Sequence, residues 1–397
     1  MAGWIVLSAL LAMTLVTVAT RNGPAVNGDT WDYLWHALGT QPDFPHRTNP
    51  YGITHFPPGY PAALAAGNVL AGRAMEIEPL LDTARQLNIL LVGVNVALAA
   101  WLGFRLISRG RPAGENASLA HYRAAHAASL AAVLFATLSE PGKFHTVAIS
   151  EGLFLSMTLA SLALLTGRQT LAMLAAAGLM AGFSYLVRYA GVALICSGGL
   201  WVLLTSGPTL RQRLIRLAVF ALPIAACVGL ALWRNHHLGG NVGGRPLEFH
   251  PAGYAEIRDV LKTLTRWLLP SEIMIVPLIV CVVVAIAVMF RFGPMLAGVV
   301  VDETLGRPQG PAAGAVLLYC LTYAGLLVVT RLLFDPVLQI GMRMLLPLQI
   351  LIIISLAAWC VFGRRWIVVR QVTLIALLLI PILNVCDIIA WVMQPNG

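Results

Sequence analysis

The sequence predicts an all-α fold, a polytopic bundle of transmembrane helices. Three observations predict it. Of 397 residues, 58% are hydrophobic and only 11% charged, and the mean hydropathy is +0.80, which excludes an ordinary soluble enzyme, a disordered tail and a fibrous repeat. The apolar residues fall in long uninterrupted runs, and about 20 such residues cross a hydrocarbon core of roughly 30 Å as a helix. The runs lack the period-two alternation of a membrane barrel.

Taken in order, the runs place about eleven spans near 4–20, 86–107, 121–138, 150–166, 171–187, 189–206, 214–233, 273–290, 311–330, 342–362 and 366–392. Residues 1–397 read as a single membrane domain with two long polar loops, 21–85 and 234–272. The first run lacks the basic start of a signal peptide and reads as a retained span. With the N-terminus inside, the inner connections carry thirteen arginines against Glu115, Asp302 and Glu303, whereas the outer side carries thirteen basic and fourteen acidic residues. Positive charge gathers on the cytoplasmic side, so both long loops face outward. Arg21, just after the first span, runs against this bias and is outvoted by the other spans. Asn116-Ala117-Ser118 then falls inside, and its match to a glycosylation sequon reads as chance.

Each long loop carries a segment fit to lie at the outer interface. Residues 57–73 open with Pro57-Pro58-Gly59-Tyr60-Pro61 and run into a short Ala-rich stretch, too brief to span. In 252–270, Tyr254, Ile257, Val260, Leu261, Leu264 and Trp267 recur at helical spacing opposite Glu256, Arg258 and Lys262.

The net charge of +9 raises nucleic acid as a partner, but the basic residues form no dense patch with stacking aromatics, and that class is set aside. The six cysteines sit inside apolar runs without metal-ligand spacing, so they imply neither a disulfide nor a zinc site.

Chemistry-bearing residues converge on the outer side. Asn27-Gly28-Asp29-Thr30-Trp31-Asp32-Tyr33 follows the first span, and Asp29 and Asp32 share a face if the segment is helical. Such a pair suits a general base, and equally offers a divalent cation two carboxylates; the plainer reading is that Asp29 caps a helix beginning near Thr30. Thr54-His55-Phe56-Pro57-Pro58-Gly59-Tyr60 holds His55 and Tyr60 in a stiff turn. Ser150-Glu151, Arg188-Tyr189, Arg234-Asn235, Gly243-Gly244-Arg245 and Arg343 reach the same side from other spans. Arg188, between two closely spaced runs, either snorkels or grips a phosphate at headgroup depth. Carboxylates and arginines at one end of a helical bundle suit transfer from a lipid-linked phosphate: the arginines hold the leaving phosphate, a carboxylate takes the acceptor's proton, and the lipid tail lies between spans.

On these motifs, with Asp335-Pro336 ahead of Arg343-Met344-Leu345-Leu346-Pro347, the sequence resembles the GT-C superfamily of integral-membrane glycosyltransferases, in the style of bacterial relatives of protein O-mannosyltransferases and aminoarabinose transferases. The resemblance implies an inverting glycosyltransferase of the cell membrane. Such an enzyme moves a sugar from a polyprenyl-phosphate-linked donor to a glycan, lipid or protein acceptor on the non-cytoplasmic face. It makes Asp29 the base and Asp32 the second candidate, with substrate contacts from Tyr33, His55, Tyr60, Glu151, Arg188, Tyr189, Arg234, Asn235, Arg245 and Arg343. Phe56 separates His55 from the two prolines where relatives often have His directly before them. Metal is not required by the pattern, although some acidic loops of the superfamily bind one. The competing readings are a lipid-linked sugar flippase or transporter and a non-catalytic envelope-assembly protein. A flippase would be expected to carry ionisable residues near the membrane midplane and often repeated halves; here the charges sit at span ends.

Overall fold

The computed structural model describes residues 1–39, 56–109, 117–167, 169–205, 207, 209–238, 249, 258, 260, 263, 312–333 and 341–362. These residues are all-helical, with one isolated β-bridge. In chain order the helices are α1 (Ala2–Ala19), α2 (Gly28–Leu38), α3 (Gly59–Leu70), α4 (Ile77–Arg109), α5 (Ala117–Thr137), α6 (Ser139–Phe144), α7 (Glu151–Leu165), α8 (Leu171–Val187), α9 (Val192–Thr205), α10 (Leu210–His237), α11 (Ala312–Leu333) and α12 (Met342–Phe362).

Nine of the eleven expected spans coincide with α1, α4, α5, α7, α8, α9, α10, α11 and α12. Among the described residues, five helices (α1, α4, α10, α11 and α12) are long and apolar enough to cross a membrane, while α7, α8 and α9 are shorter apolar helices. The chain is a multi-pass membrane protein. The expected spans at 273–290 and 366–392 lie outside the described residues, as does nearly all of the amphipathic segment 252–270.

Lipid-facing and protein-facing surfaces separate as a bilayer requires. In α1 the buried side is a narrow stripe of Ser8, Ala12, Val16 and Ala19, and the exposed side carries Trp4, Val6, Leu7, Leu10 and Leu11. Small residues set the helix spacing elsewhere. A Cβ on Gly178 of α8 would lie 2.0 Å from the Phe220 carbonyl of α10, and one on Gly182 would lie 2.8 Å from Cys227 Sγ, so these two helices touch backbone to backbone. The described cysteines, Cys196, Cys227, Cys320 and Cys360, form no disulfide.

Two short helices cap one end of the bundle. The α2 helix starts because Asn27 and Thr30 cap it reciprocally: the Asn27 side chain accepts from the Thr30 N–H at 3.0 Å, and the Thr30 hydroxyl accepts from the Asn27 N–H at 3.1 Å. It ends at Gly39 in the left-handed region. Its buried residues Thr30, Tyr33, Leu34 and Ala37 form one face at helical spacing. The expected interfacial helix in 57–73 is α3. It seats on the end of α8, where a Cβ on Gly59 would lie 2.7 Å from the Leu186 carbonyl.

A backbone pairing then fixes where α2 begins. Ala25 and Val147 form a parallel bridge, with Ala25 N–H on the Thr146 carbonyl at 2.8 Å and Ala148 N–H on the Ala25 carbonyl at 3.0 Å. Because the two strands run in the same sense, the residues a few positions on, Asp29 and Glu151, arrive at the same place. The partner segment is itself anchored, since Asn88 of α4 donates to the Val147 carbonyl at 2.7 Å.

Candidate active site

The centre of the site is Glu151, the first residue of α7, whose side chain is 4% exposed. One of its oxygens, Oε1, accepts from Arg188 Nη1 and from Arg343 Nε. Arg343 turns its Nη1 to Asp29. The result is a chain of alternating charge, Arg188–Glu151–Arg343–Asp29, drawn from four separate elements and carrying two positive and two negative groups. Asp29 is its accessible end, with a side chain 32% exposed.

Each member is placed by local structure. Arg188 follows α8 in extended backbone and precedes a single 3-10 turn at Tyr189–Gly191, so its side chain is delivered inward at the helix end. The Phe154 ring lies 6.0 Å from its Cζ, within cation–π range. Arg343 sits in the first turn of α12. Pro347 has no N–H for the Arg343 carbonyl, and the turn is held instead by the Gly341 carbonyl, which accepts from Met344 and Leu345. Asp29 is in the first turn of α2, where a carboxylate suits the helix dipole. Since Asn27 supplies the cap, the expectation that Asp29 merely caps the helix is corrected, and its carboxylate is turned to Arg343.

Aromatic residues wall the cluster. The Tyr33 hydroxyl shares a 2.9 Å hydrogen bond with Ser150 Oγ, and its ring packs edge-on against Phe56 and Tyr60, each at 5.1 Å between centroids. Burial, reinforced by the Glu151 charge, pushes the Tyr33 phenol up to about 12, so it stays protonated at neutral pH. Burial likewise raises Tyr60. For Arg188 burial is the largest single effect and opposes the charge, but Glu151 together with Tyr33 and Tyr323 outweighs it and the net direction is upward.

A second group adjoins the first. Asn235 of α10 donates to the Tyr189 hydroxyl at 3.1 Å, and Arg234 reaches the Asn235 side-chain oxygen at 3.2 Å and the Phe56 carbonyl at 3.5 Å. Since Phe56 packs on Tyr33 and Tyr189 follows Arg188, the two groups are neighbours.

Among the residues singled out from the sequence, Asp29, Tyr33, Tyr60, Glu151, Arg188, Tyr189, Arg234, Asn235 and Arg343 thus gather at one end of the bundle. Asp32 is half-buried one turn along α2. His55 and Arg245 lie outside the described residues. Phe154, Tyr323 and Met344 also contact the site; Phe154 and Tyr323 carry no sequence signal of their own, and Met344 stands in the sequence only as part of the Arg343–Pro347 motif. His145 takes a different role. Its Nδ1–H donates to the Pro141 carbonyl, its Nε2 accepts from Asn95 at 3.1 Å, and Asn95 also bonds the Gly152 carbonyl and Ser156. Burial holds it neutral, lowering it to about 4; it braces the start of α7 from behind.

In fold, the chain is similar to an archaeal oligosaccharyltransferase. AglB from Archaeoglobus fulgidus, solved in complex with an inhibitory peptide and a dolichol-phosphate, matches over 98% of this chain with a TM-score of 0.50 and 13% identity. A crystal structure of the oligosaccharyltransferase from the same organism, tethered by a disulfide bond to an acceptor peptide containing the NVT sequon, matches over 98% of this chain with a TM-score of 0.47 and 12% identity. The chain covers 55% and 54% of those proteins, about half their length. No family model and no curated protein sequence matches it. At this identity the likeness to AglB is one of fold.

Proposed function

We propose that this protein is a membrane glycosyltransferase that moves a sugar from a polyprenyl-phosphate-linked donor to a hydroxyl-bearing glycan, lipid or protein acceptor. The observation that carries this reading is the Arg188–Glu151–Arg343–Asp29 chain, which places two guanidiniums beside a half-exposed carboxylate. Its occurrence on a fold similar to that of AglB, solved with a dolichol-phosphate, supports a lipid-phosphate donor. The arginine-rich inner connections support an active site on the non-cytoplasmic face of the cell membrane.

Asp29 is the base in this reading, because its carboxylate is the accessible one while Glu151 is sealed. Asp29 takes the proton of the acceptor hydroxyl, and the acceptor oxygen attacks the anomeric carbon from the face opposite the phosphate. The bond from that carbon to the phosphate oxygen breaks, its electron pair leaves with the polyprenyl phosphate, and the anomeric centre inverts. The two events are coupled through Arg343. As Asp29 becomes neutral it loosens its hold on this guanidinium, which then turns to the phosphate as that group gains charge. Tyr33 and Tyr60 wall the site, and Tyr189, Arg234 and Asn235 flank it; His55 and Arg245 are kept as further substrate contacts.

A divalent cation at Asp29 and Asp32 would have to displace Arg343 from Asp29. Among the described residues no group of three His, Cys, Asp or Glu side chains comes together to hold a metal.

The test is release of polyprenyl phosphate from a panel of lipid-linked sugars by the purified protein in nanodiscs, with the wild type set against Asp29→Asn. Release by the wild type, reduced at least roughly 100-fold in the variant, is expected. If the folded, lipid-bound wild type releases nothing from any donor, the transferase reading falls and the assay passes to translocation of the lipid-linked sugar.

A further inference from the structure

The Arg188 guanidinium spends its two terminal nitrogens unequally. Nη1 goes to Glu151, with Ser150 Oγ at 3.5 Å, whereas Nη2 meets the thioether of Met344 at 3.4 Å. A thioether is a weak acceptor, and a guanidinium N–H is among the strongest donors a protein has. The contact is therefore the weakest in the cluster, and it leaves this nitrogen the one most easily given over to an anion.

Its surroundings favour exchange. The Met344 backbone is pinned, since its carbonyl accepts from Tyr323 Oη at 3.0 Å and its N–H donates to the Gly341 carbonyl at 3.1 Å. The side chain is half-buried and unbranched, with three rotatable bonds, so the sulfur can swing aside without moving α12. Arg188 meanwhile keeps its seat through Glu151 and the Phe154 face. Among the described residues Glu151 Oε2 is buried with no hydrogen-bond partner, which leaves the carboxylate an oxygen with which to follow the guanidinium as it pivots.

We propose that the Met344 sulfur is a placeholder for a phosphate oxygen on Arg188 Nη2, which makes Met344 a residue that sets affinity for the donor. The proposal rests on the transferase reading. Binding exchanges a neutral, weak N–H···S contact for a charge-assisted N–H···O⁻ bond, and the strength of the acceptor at position 344 tunes how readily the phosphate enters.

The test uses the full-length protein in phosphatidylcholine nanodiscs and measures binding of undecaprenyl phosphate, with inorganic phosphate and phosphatidic acid as separate probes. Met344→Leu keeps the volume and removes the acceptor; binding about 3-fold tighter is expected. Met344→Gln keeps the length and supplies a stronger acceptor that competes with the phosphate; binding roughly 10-fold weaker is expected. Melting temperatures of the unliganded variants check the fold, and if Gln lowers its own, the Leu variant decides. Wild-type binding left unchanged by both substitutions overturns the placeholder, as does the reverse order of affinities. Failure of the wild type to bind undecaprenyl phosphate overturns the transferase reading instead. Either a lipid-linked or a free phosphate obeying the expected order supports the placeholder, and the three probes tell which source the site prefers.

Discussion

Replacing Glu151 by Leu tests whether the charge chain is one unit. The Glu151 carboxylate sits between two cations, and the side chains of Glu151, Arg188 and Arg343 are only 4%, 13% and 25% exposed. Removing one partner of a buried pair leaves an uncompensated charge and costs about 3–5 kcal/mol. Here Arg343 keeps Asp29 as a counter-ion, which places the expected loss nearer the lower end, about 3 kcal/mol. Among the described residues Arg188 has no such second carboxylate, so Arg188→Met added to Glu151→Leu should restore part of the loss by removing the stranded charge. The double variant is expected to be at least about 2 kcal/mol more stable than the sum of the single effects implies. Equilibrium unfolding in mixed micelles, followed by far-UV circular dichroism, measures all four proteins. Penalties that add to within roughly 0.5 kcal/mol would refute the reasoning, because independent sites, and not a shared buried charge, behave that way.

Two further outcomes follow from the elements that hold the site. Gly59→Ala brings a Cβ to 2.7 Å from the Leu186 carbonyl carbon and oxygen, where ordinary contact begins near 3.4 Å; α3 must withdraw from the α8 end that carries Arg188, and transfer is expected to fall roughly 10- to 100-fold with helicity retained, while wild-type rates would separate α3 from the chemistry. His145 titrates at about 4 in the fold, against an ordinary value of 6.5. The folded state thus resists its protonation, so stability is full above about pH 6.5 and is lost as the pH falls toward 4, by about 3 kcal/mol from this group. His145→Gln should flatten the fall in melting temperature between pH 7 and pH 4.5 relative to the wild type, and parallel curves would count against a neutral buried imidazole.

The apolar helices among the described residues were legible because one physical requirement writes them: a helix in hydrocarbon needs an unbroken apolar run, and that run is a local property of the chain. The same holds for α3, whose Pro57-Pro58-Gly59 entry and short apolar stretch mark a helix too brief to cross. The start of α2 was less legible. Asn27, Asp29 and Thr30 are all plausible at a helix N-terminus, and only the reciprocal bonds between Asn27 and Thr30 decide among them. The site's membership could be read from residue type and side, but its pairing could not. Arg188 lies 37 residues from Glu151 and Arg343 lies 192, and nothing periodic links such positions. The pairing comes from the Ala25–Val147 bridge and the packing of α3 on α8, both tertiary. Met344 illustrates the limit: beside Arg343 it reads as one more apolar residue of a span, and it acquires a role only when α8 brings Arg188 to its sulfur.

The charge count of the cluster bears on why it persists. Apolar replacements for buried ion pairs are commonly as stable or more so, so stability alone does not explain two arginines and two carboxylates gathered beneath Tyr33. The phosphate site proposed above would. Two guanidiniums left bare at the end of a helical bundle would repel one another and pay heavily for desolvation, whereas Glu151 and Asp29 make the empty site neutral. The two carboxylates differ in reach: Glu151 is sealed and keeps both arginines in place, while Asp29 is the one an acceptor can approach. In the proposed transfer, protonating Asp29 subtracts one negative charge at the moment the leaving phosphate adds one, and Arg343, which touches Asp29 and Glu151 alike, is the group through which that exchange would pass without a net change in the charge buried at the site.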